Sequence, residues 1–355
     1  MSLFDSPAFE NHEAVHFFND HASGLKAIIA IHSTARGPAA GGCRMFAYPD
    51  DQAAIDDALR LSRAMSHKNA VADLDLGGGK AVILGDPRTV KSGPLFEAFG
   101  GAVKQLGGRY WSAEDVGVSP SDLAHARRKT KYVAGLEGHP AASGDPSPVT
   151  AEGVKRGIEL CVRRALGRDL DGIAVAIQGV GHVGAWLADK LAGAGARLTV
   201  TDMDEAALEA VAARTGAQIV APNEIFDVEA DVFAPCAMGG AITRETIGRL
   251  KARVVAGGAN NQLGDPDAGS LLESRGVLYA PDFVINGGGI INVAGEIRAL
   301  RLGEAFDPAW VAGKLDRLME TLGEVLDRAE AERRTPQEVA VAIAETRIAA
   351  ARARP

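Results

Sequence analysis

Cysteine is scarce in this sequence of 355 residues, which contains only Cys43, Cys161 and Cys236. No two of them form a C-x-x-C pair, and an odd number leaves one over, so we expect free thiols in a reducing compartment. The first residues lack both the basic and the apolar segment of a secretory signal peptide. No apolar run is long enough to span a bilayer. The sequence therefore predicts a cytoplasmic protein without a membrane partner.

Positive charge is also in deficit, because 38 Lys and Arg residues stand against 46 Asp and Glu residues, a net charge of -8. Binding to nucleic acid or to an anionic membrane needs a basic surface, so this balance argues against both partners. The eight histidines show no H-E-x-x-H motif and no Cys/His ligand spacing, so no metal site is predicted. We expect His12 and His16 to share a helical face.

Aromatic residues make up only 5% of the sequence, although 46% of it is hydrophobic. Small aliphatic side chains must therefore fill the interior. A chain of this length favours two domains of ordinary size. Residues 138–148 are rich in proline, glycine and serine, which is typical of a loop between domains. We predict boundaries that divide the chain into residues 1–143, 144–330 and 331–355.

Apolar strands alternate with helical patterns, which predicts an α/β fold with a parallel sheet covered on both faces. Thr335, Pro336 and Glu338 form the sequence signature of a capped helix start, so a last helix should begin there. The other predicted helices cover residues 51–65, 150–166 and 186–191. The predicted strands cover residues 81–84, 109–112, 173–177, 198–201, 232–234, 254–256 and 277–279.

A G-x-G-x-x-G motif, residues 179–184, lies between the strand predicted at 173–177 and a helix. In a dinucleotide-binding turn, Gly179 would permit the tight turn, Gly181 the approach of the pyrophosphate, and Gly184 close helix–strand packing. The next strand ends at Asp202, whose carboxylate would accept both ribose hydroxyls and repel a 2′-phosphate. Residues 203–205 offer no arginine to neutralise that phosphate, so we predict NAD as the cofactor. An ordinary tight turn of an α/β domain is the less favoured explanation.

Lys68, Lys80 and Asp115 form a second group, because a glycine run at 77–79 leads into Lys80. This run is not a phosphate-binding P-loop, since Leu74 and Ala81 occupy positions that the P-loop needs as Gly and Ser/Thr. Two lysines in one pocket would depress each other's pKa, and a lysine near neutrality can act as a general base. From spacing alone, however, any single lysine is more simply a solvated surface residue.

The sequence resembles the glutamate/leucine/phenylalanine/valine dehydrogenase superfamily over nearly its whole length, and most closely the leucine dehydrogenase branch. The resemblance implies an N-terminal α/β domain that binds substrate and builds a homo-oligomer between dimer and octamer. It also implies a C-terminal Rossmann domain for NAD, a cleft between the two, and a last helix that returns to the first domain. The matching segments are 37–45 (GPAAGGCRM), 65–69 (MSHKN), 77–80 (GGGK), 113–117 (AEDVG), 146–150 (PSPVT), 179–184 (GVGHVG), 234–237 (APCA), 258–263 (GANNQL) and 281–289 (PDFVINGGG).

The resemblance also implies a role for each site residue. Lys68 would hold the substrate α-carboxylate, Lys80 would activate water as a base, and Asp115 would transfer a proton to or from the amine. Asn261 would contact the substrate and the nicotinamide ribose, and Thr150 the nicotinamide carboxamide. Four further residues complete the cofactor-binding set: His182, Val183, Cys236 and Ala237.

Side-chain specificity is predicted from the pocket walls that the resemblance assigns. Glutamate dehydrogenases of the superfamily carry a lysine where this chain has Ala40, so an acidic side chain would lack a cation here. We therefore predict oxidative deamination of branched-chain apolar L-amino acids to 2-oxo acids and ammonia. Phenylalanine is the alternative, since alanine is smaller than the usual leucine at that wall. The predicted walls are Ala40, Gly41, Met65, Ala113, Ile290 and Val293.

Two other functions agree less well with the sequence. A 2-hydroxy-acid dehydrogenase needs a histidine with a carboxylate partner, and the sequence shows no such pair. A catalytically silent NAD-binding regulatory protein would keep the glycine turn, but it would not need Lys68, Lys80 and Asp115 together. One departure from the leucine branch is Gly295, where that branch commonly has aspartate.

Overall fold

The computed structural model describes residues 3–353, which form two compact units. The first contains residues 3–145, 290–312 and 344–353, and the second contains residues 146–289 and 313–343. The first break lies two residues beyond the predicted boundary at 143. Residues 290–312 belong to the first unit, although the predicted block 144–330 included them. The boundary between 289 and 290 lies inside one continuous helix, where no change in composition marks it. None of the helices in the described part of the chain is apolar and long enough to cross a membrane.

The first unit is built on a five-stranded mixed sheet with strand order β1-β2-β4-β3-β5. Strand β2 pairs antiparallel with β1 and β4, whereas β3 pairs parallel with β4 and β5. The strands are β1 (Ala14–Asp20), β2 (Leu25–Ser33), β3 (Ala39–Phe46), β4 (Gly77–Leu84) and β5 (Tyr110–Glu114). The helices that precede residue 145 are α1 (Asp51–Val71), α2 (Gly93–Gln105) and α3 (Pro120–Arg127).

Helices cover both faces of this sheet, so alternate strand residues enter two different cores. On one face Val82 and Ile28 pack with Ala58 and Leu59 of α1. On the other, Ile83 and Ile29 belong to a larger core that includes Phe96 and Phe99 of α2. Strands buried on both faces read as continuous apolar runs.

Helix α1 begins as predicted, where the Asp50 side chain accepts a hydrogen bond from the Ala53 amide (2.8 Å). It ends six residues later than predicted, at Val71. Polar residues 66–69 interrupt the apolar stripe of the helix, which is why the predicted helix ended at residue 65. The Arg347 guanidinium donates to the carbonyls of Ala70 (3.1 Å) and Val71 (3.0 Å) and so satisfies the last turn of α1.

Three buried histidines lie close to or within α1: His12, His32 and, in the helix itself, His67. The predicted helical face shared by His12 and His16 is wrong, since His16 lies in β1. His32 Nδ1 lies 2.7 Å from the Ser66 hydroxyl, and the His12 ring is 5.0 Å from the His32 ring. Burial lowers the pKa of all three histidines, to about 3 for His32 and to about 4 for His67.

These histidines predict acid lability. In the unfolded chain their pKa is about 6.5, so the unfolded state binds more protons between pH 6.5 and pH 4. The free energy of unfolding should therefore decrease as the pH falls from 6.5 to 4, by about 1.4 kcal/mol per pH unit for each of His32 and His67. Urea midpoints at pH 7.5 and 5.0 measure the slope. His32→Gln should flatten it, whereas the exposed His21→Gln should not; equal slopes in both variants would contradict the assignment.

The second unit contains a six-stranded, fully parallel sheet with strand order β11-β10-β9-β6-β7-β8. It confirms the predicted α/β class and the Rossmann-type succession of strands. The order reverses between β6 and β9, the point at which such sheets bind ligands beyond the carboxyl ends of their strands. The strands are β6 (Ala174–Gln178), β7 (Arg197–Thr201), β8 (Gln218–Ile219), β9 (Val232–Pro235), β10 (Val254–Val255) and β11 (Leu278–Tyr279).

The remaining helices connect these strands or follow them. The predicted cap of the last helix is confirmed, because the Thr335 amide and hydroxyl both donate to Glu338 (3.0 Å each). The helices are α4 (Ser147–Leu166), α5 (His182–Gly193), α6 (Glu205–Thr215), α7 (Arg244–Arg249), α8 (Ala268–Ser274), α9 (Asp282–Ile285), α10 (Gly288–Leu302), α11 (Pro308–Glu332) and α12 (Pro336–Arg352).

Candidate active site

Lys80 and Asp115 meet on the α1 side of the first sheet. Lys80 lies in β4 with only 6% of its side chain exposed, and its ammonium contacts the Asp115 carboxylate. Asp115 directly follows β5, and its other carboxylate oxygen accepts the Val116 amide (2.6 Å). The sequence prediction placed these two residues in one site, and the structure brings them into contact from two strands that do not pair with each other.

Gly42 makes this meeting possible, because β3 lies between β4 and β5. A side chain at Gly42 would place its Cβ 2.8 Å from the Asp115 Cβ and 2.5 Å from the Glu114 carbonyl oxygen. Real Cβ atoms do not approach other atoms so closely. Glycine at position 42 therefore leaves room above β3 for the lysine–aspartate pair.

The pKa of Lys80 is lowered from 10.5 to about 7, chiefly by burial and next by the positive charge of the Arg44 guanidinium. The charge of Lys68 acts in the same direction but follows Arg44 in size. The mutual effect of the two lysines was predicted, but the larger effects of burial and of Arg44 were not. The adjacent Asp115 carboxylate attracts the positive charge of the Lys80 ammonium.

Sequence reasoning missed a second group of polar residues beside this pair. The Arg44 guanidinium donates to the Asp57 carboxylate (3.0 Å) and lies 3.7 Å from Asp115 Oδ1. Asp57 also accepts the Tyr48 hydroxyl (2.7 Å) and the exposed Arg60 guanidinium (2.6 Å). Side chains in a strand point alternately to its two faces, so Arg44 lies on the same face of β3 as Gly42. This alternation was the sequence signal that could have placed Arg44 near the site.

The end of α1 packs directly on the glycine run that leads into Lys80. A Cβ at Gly78 would overlap the backbone of Ser66, and one at Gly41 would lie 3.1 Å from Met65 Cγ. The Asn69 amide donates to the carbonyls of Gly77 (2.6 Å) and, more weakly, Ala40 (3.4 Å).

Four of the six predicted pocket walls therefore lie near one another in the first unit. Ala40, Gly41 and Met65 are grouped by these contacts, and Ala113 pairs in register with Gly42. The other two, Ile290 and Val293, lie on α10, whose residues from 290 onwards belong to the same unit.

Helix α10 is held in that unit by a buried carboxylate. Glu296 is fully buried and accepts the amides of Gly135 (3.0 Å), Leu136 (3.2 Å) and Ser143 (3.0 Å), as well as the Ser143 hydroxyl (2.8 Å). A buried carboxylate is tolerated when its oxygens are saturated with donors. Neighbouring Gly295 has little room for a side chain, because a Cβ there would lie 2.9 Å from the Phe306 ring.

The glycine turn of the second unit has the backbone geometry that dinucleotide binding requires. Gly179 adopts φ +95°, and a Cβ there would lie 2.6 Å from the Ala237 amide nitrogen. A Cβ at Gly184 would overlap the Gly179 carbonyl oxygen, whereas Gly181, directly before α5, faces open space. Open space at the start of a helix of 12 residues fits an approaching diphosphate.

Asp202 closes this turn from the end of β7. Its Oδ2 accepts the Val180 amide (2.6 Å), and its Oδ1 accepts the amides of Met203 (2.7 Å) and Asp204 (3.0 Å). The carboxylate therefore orders the loop by itself, and its contact with ribose hydroxyls stays a prediction.

The other predicted cofactor residues of this unit surround the turn. Gly258 donates its amide to Cys236 Sγ (3.4 Å), and a Cβ at Gly258 would lie 2.8 Å from Val183. Burial raises the pKa of Cys236 to about 11, so its thiol is neutral and packs as a small apolar group. His182 is the exposed first residue of α5.

Thr150 and Asn261 lie farther along the same unit. The Thr150 hydroxyl donates to the Pro146 carbonyl (2.9 Å) within α4. Exposed Asn261 has φ +52°, a left-handed conformation that is uncommon outside glycine and that concentrates at functional sites.

Comparisons with known proteins agree with this arrangement. Residues 11–132 match a family model described as the Glu/Leu/Phe/Val dehydrogenase dimerisation domain, and residues 199–354 match the Glutamate/Leucine/Phenylalanine/Valine dehydrogenase model. The chain is 50% identical to a leucine dehydrogenase of Thermoactinomyces intermedius, over 84% of this chain and 81% of that one. It is 42% identical to a phenylalanine dehydrogenase of Bacillus thermotolerans, over 99% and 91%.

A solved structure of high similarity is an L-tryptophan dehydrogenase from Nostoc punctiforme. It is 38% identical to the chain and has a TM-score of 0.83, with 96% of this chain and 97% of that chain covered. These relatives differ in the side chain that their names specify, from aliphatic to aromatic.

Proposed function

Since this chain belongs to the Glu/Leu/Phe/Val dehydrogenase family, we propose that it catalyses the NAD-dependent oxidative deamination of branched-chain apolar L-amino acids. The products are the 2-oxo acid and ammonia, and the reaction is reversible. The observation that carries the proposal is the buried Lys80 in contact with Asp115, with a lysine pKa near neutrality.

Each charged residue of the first unit has a distinct task in this reaction. Lys68 pairs with the substrate carboxylate, so the amino acid binds as an anion at that end. NAD, when bound, would supply the hydride acceptor for the Cα–H bond of the neutral amine, and the substrate would become an iminium ion. Neutral Lys80 removes a proton from the water that adds to the iminium carbon. Protonated Lys80 passes its proton to Asp115, which delivers it to the amine. The amine then leaves as ammonia while neutral Lys80 takes the proton of the remaining hydroxyl, and the 2-oxo acid forms.

The cofactor is proposed to be NAD rather than NADP. The Asp202 carboxylate at the end of β7 would repel a 2′-phosphate, and residues 203–205 supply no arginine. Gly179, Gly181, Val183 and Gly184 would hold the diphosphate, with Thr150, Cys236, Ala237 and Asn261 around the rest of the dinucleotide. The three free cysteines and the matched dimerisation model support a cytoplasmic homo-oligomer.

A substrate panel tests the proposal. Leucine, valine, isoleucine, phenylalanine and glutamate are each supplied with NAD or NADP, and absorbance of the reduced cofactor is followed at alkaline pH. Highest kcat/KM with an aliphatic substrate and NAD is expected. A preference for phenylalanine would replace the aliphatic assignment. Silence across the panel with NAD still bound would favour a regulatory protein.

Ala40→Leu should narrow the pocket, because residue 40 is only 1% exposed beside the glycine run. We expect the ratio of kcat/KM for phenylalanine to that for leucine to fall by about 10-fold or more, since each methylene shifts selectivity by about 1–3 kcal/mol. Ala350→Leu on the exposed side of α12 is the control and should leave the ratio unchanged. An unchanged ratio in Ala40→Leu would remove residue 40 from the substrate pocket.

A further inference from the structure

Arg44 is anchored so that its guanidinium stays beside the Lys80–Asp115 pair. One nitrogen donates to Asp57 (3.0 Å) and another lies 3.7 Å from Asp115 Oδ1, with 23% of the side chain exposed. Asp57 is fixed in turn by the Tyr48 hydroxyl (2.7 Å). Burial raises the pKa of Tyr48, so this hydroxyl remains a donor.

Asp115 is consequently held from three sides. Lys80 contacts Oδ2, the Val116 amide donates to Oδ1 (2.6 Å), and Arg44 approaches the same oxygen. Each of these groups favours the ionised carboxylate. An ionised Asp115 is a negative charge beside Lys80, and the permanently charged Arg44 offsets it. Lys80 can therefore lose its proton without leaving an uncompensated carboxylate next to it.

The charged and titratable groups around Lys80 lie on three neighbouring parts of the first unit: β3, the residue after β5, and α1. Arg44 exerts the largest effect of any neighbouring charge on the Lys80 pKa, and Asp57 acts in the opposite direction. The groups are Arg44 and Cys43 from β3, Asp115 after β5, and Asp57 and Lys68 from α1.

We propose that Arg44, anchored by Asp57 and Tyr48, is a positioning residue that holds the Asp115 carboxylate against Lys80 and keeps this lysine ready to accept a proton. The inference rests on the proposed function, and it assigns Arg44 a place in the proton transfer of that reaction. Arg44 does not need to touch the substrate for this role.

The test is the pH dependence of kcat/KM for leucine oxidation in the full chain. Wild type should lose activity below about pH 7 as Lys80 becomes protonated. This acid limb of the pH profile is defined by the pH of half-maximal kcat/KM. In Arg44→Gln it should move about one to two pH units upward, because a positive neighbour of Lys80 has been removed. Arg44→Lys should restore the wild-type position of the acid limb, because it keeps the positive charge. Its kcat should remain below that of wild type, since one ammonium cannot bridge two carboxylates as a guanidinium does.

Two further variants separate this role from a structural one. Asp57→Asn should move the limb downward, opposite to Arg44→Gln, which also keeps the inference testable if Arg44→Gln fails to fold. Arg60→Gln removes the other arginine on Asp57, which does not approach Asp115, and should move the limb far less. Equal shifts in Arg44→Gln and Arg60→Gln, or no shift in Arg44→Gln and Asp57→Asn, would overturn the inference. Absence of turnover in wild type would overturn the proposed function instead.

Discussion

Lys80→Met should lower kcat for amino-acid oxidation by about 10³-fold, while NAD still binds. Methionine has a similar length and suits a buried position, so the change removes the base and little else. General-base catalysis contributes about 10²–10⁴-fold to enzyme rates. Turnover is measured from the absorbance of the reduced cofactor, and cofactor binding from protein fluorescence.

The matched control is Lys91→Met, which removes a lysine from another lysine–aspartate pair, that with Asp122 (2.6 Å). This variant should keep wild-type turnover. Retention of more than about a tenth of the wild-type kcat in Lys80→Met would fall outside the range expected for loss of a general base and would show that another group activates the water.

Glu296→Ala should destabilise the protein by about 3 kcal/mol or more. It leaves the amides of Gly135, Leu136 and Ser143 without their acceptor in a buried site, and each unsatisfied donor costs about 1–3 kcal/mol. Because α10 also carries Ile290 and Val293, discrimination between leucine and phenylalanine should weaken in the same variant.

Glu296→Gln is the informative comparison, since its amide keeps one oxygen acceptor of similar shape. Its urea midpoint should lie between those of wild type and Glu296→Ala. If the alanine and glutamine variants unfold at the same midpoint as wild type, the carboxylate does not hold α10. If both lose stability equally, ionisation rather than acceptor number is decisive.

The second unit was largely predictable from the sequence. Five of its six strands were predicted from apolar sequence, whereas β8, two exposed residues, was missed. Its glycine turn combines three signals within 30 residues. Each of these signals is local, so a window of a few residues contains it. The backbone geometry at Gly179, Gly181 and Gly184 differs from one glycine to the next in the way the motif predicts.

The first unit was harder to predict because its contacts are long-range. Strands β1, β2 and β3 were missed, and the pairing of β2 with β4 joins residues about 50 apart along the chain. The approach of Lys80 to Asp115 was expected only through the family resemblance, since spacing alone favoured surface lysines. Asp57 and Glu296 gave no recognisable pattern, because most of their partners lie on other elements. The alternation that puts Arg44 on the same face as Gly42 belongs to β3, a strand that was not predicted.

The clamp of Arg347 on Ala70 and Val71 has a consequence for biosynthesis. Chains emerge from the ribosome amino end first, so the helix that carries Lys68 is made some 275 residues before the guanidinium that terminates it. A nascent or truncated polypeptide that ends before Arg347 would leave those two carbonyls without this donor. The last turn of α1 is thus completed only once this part of α12 has been made.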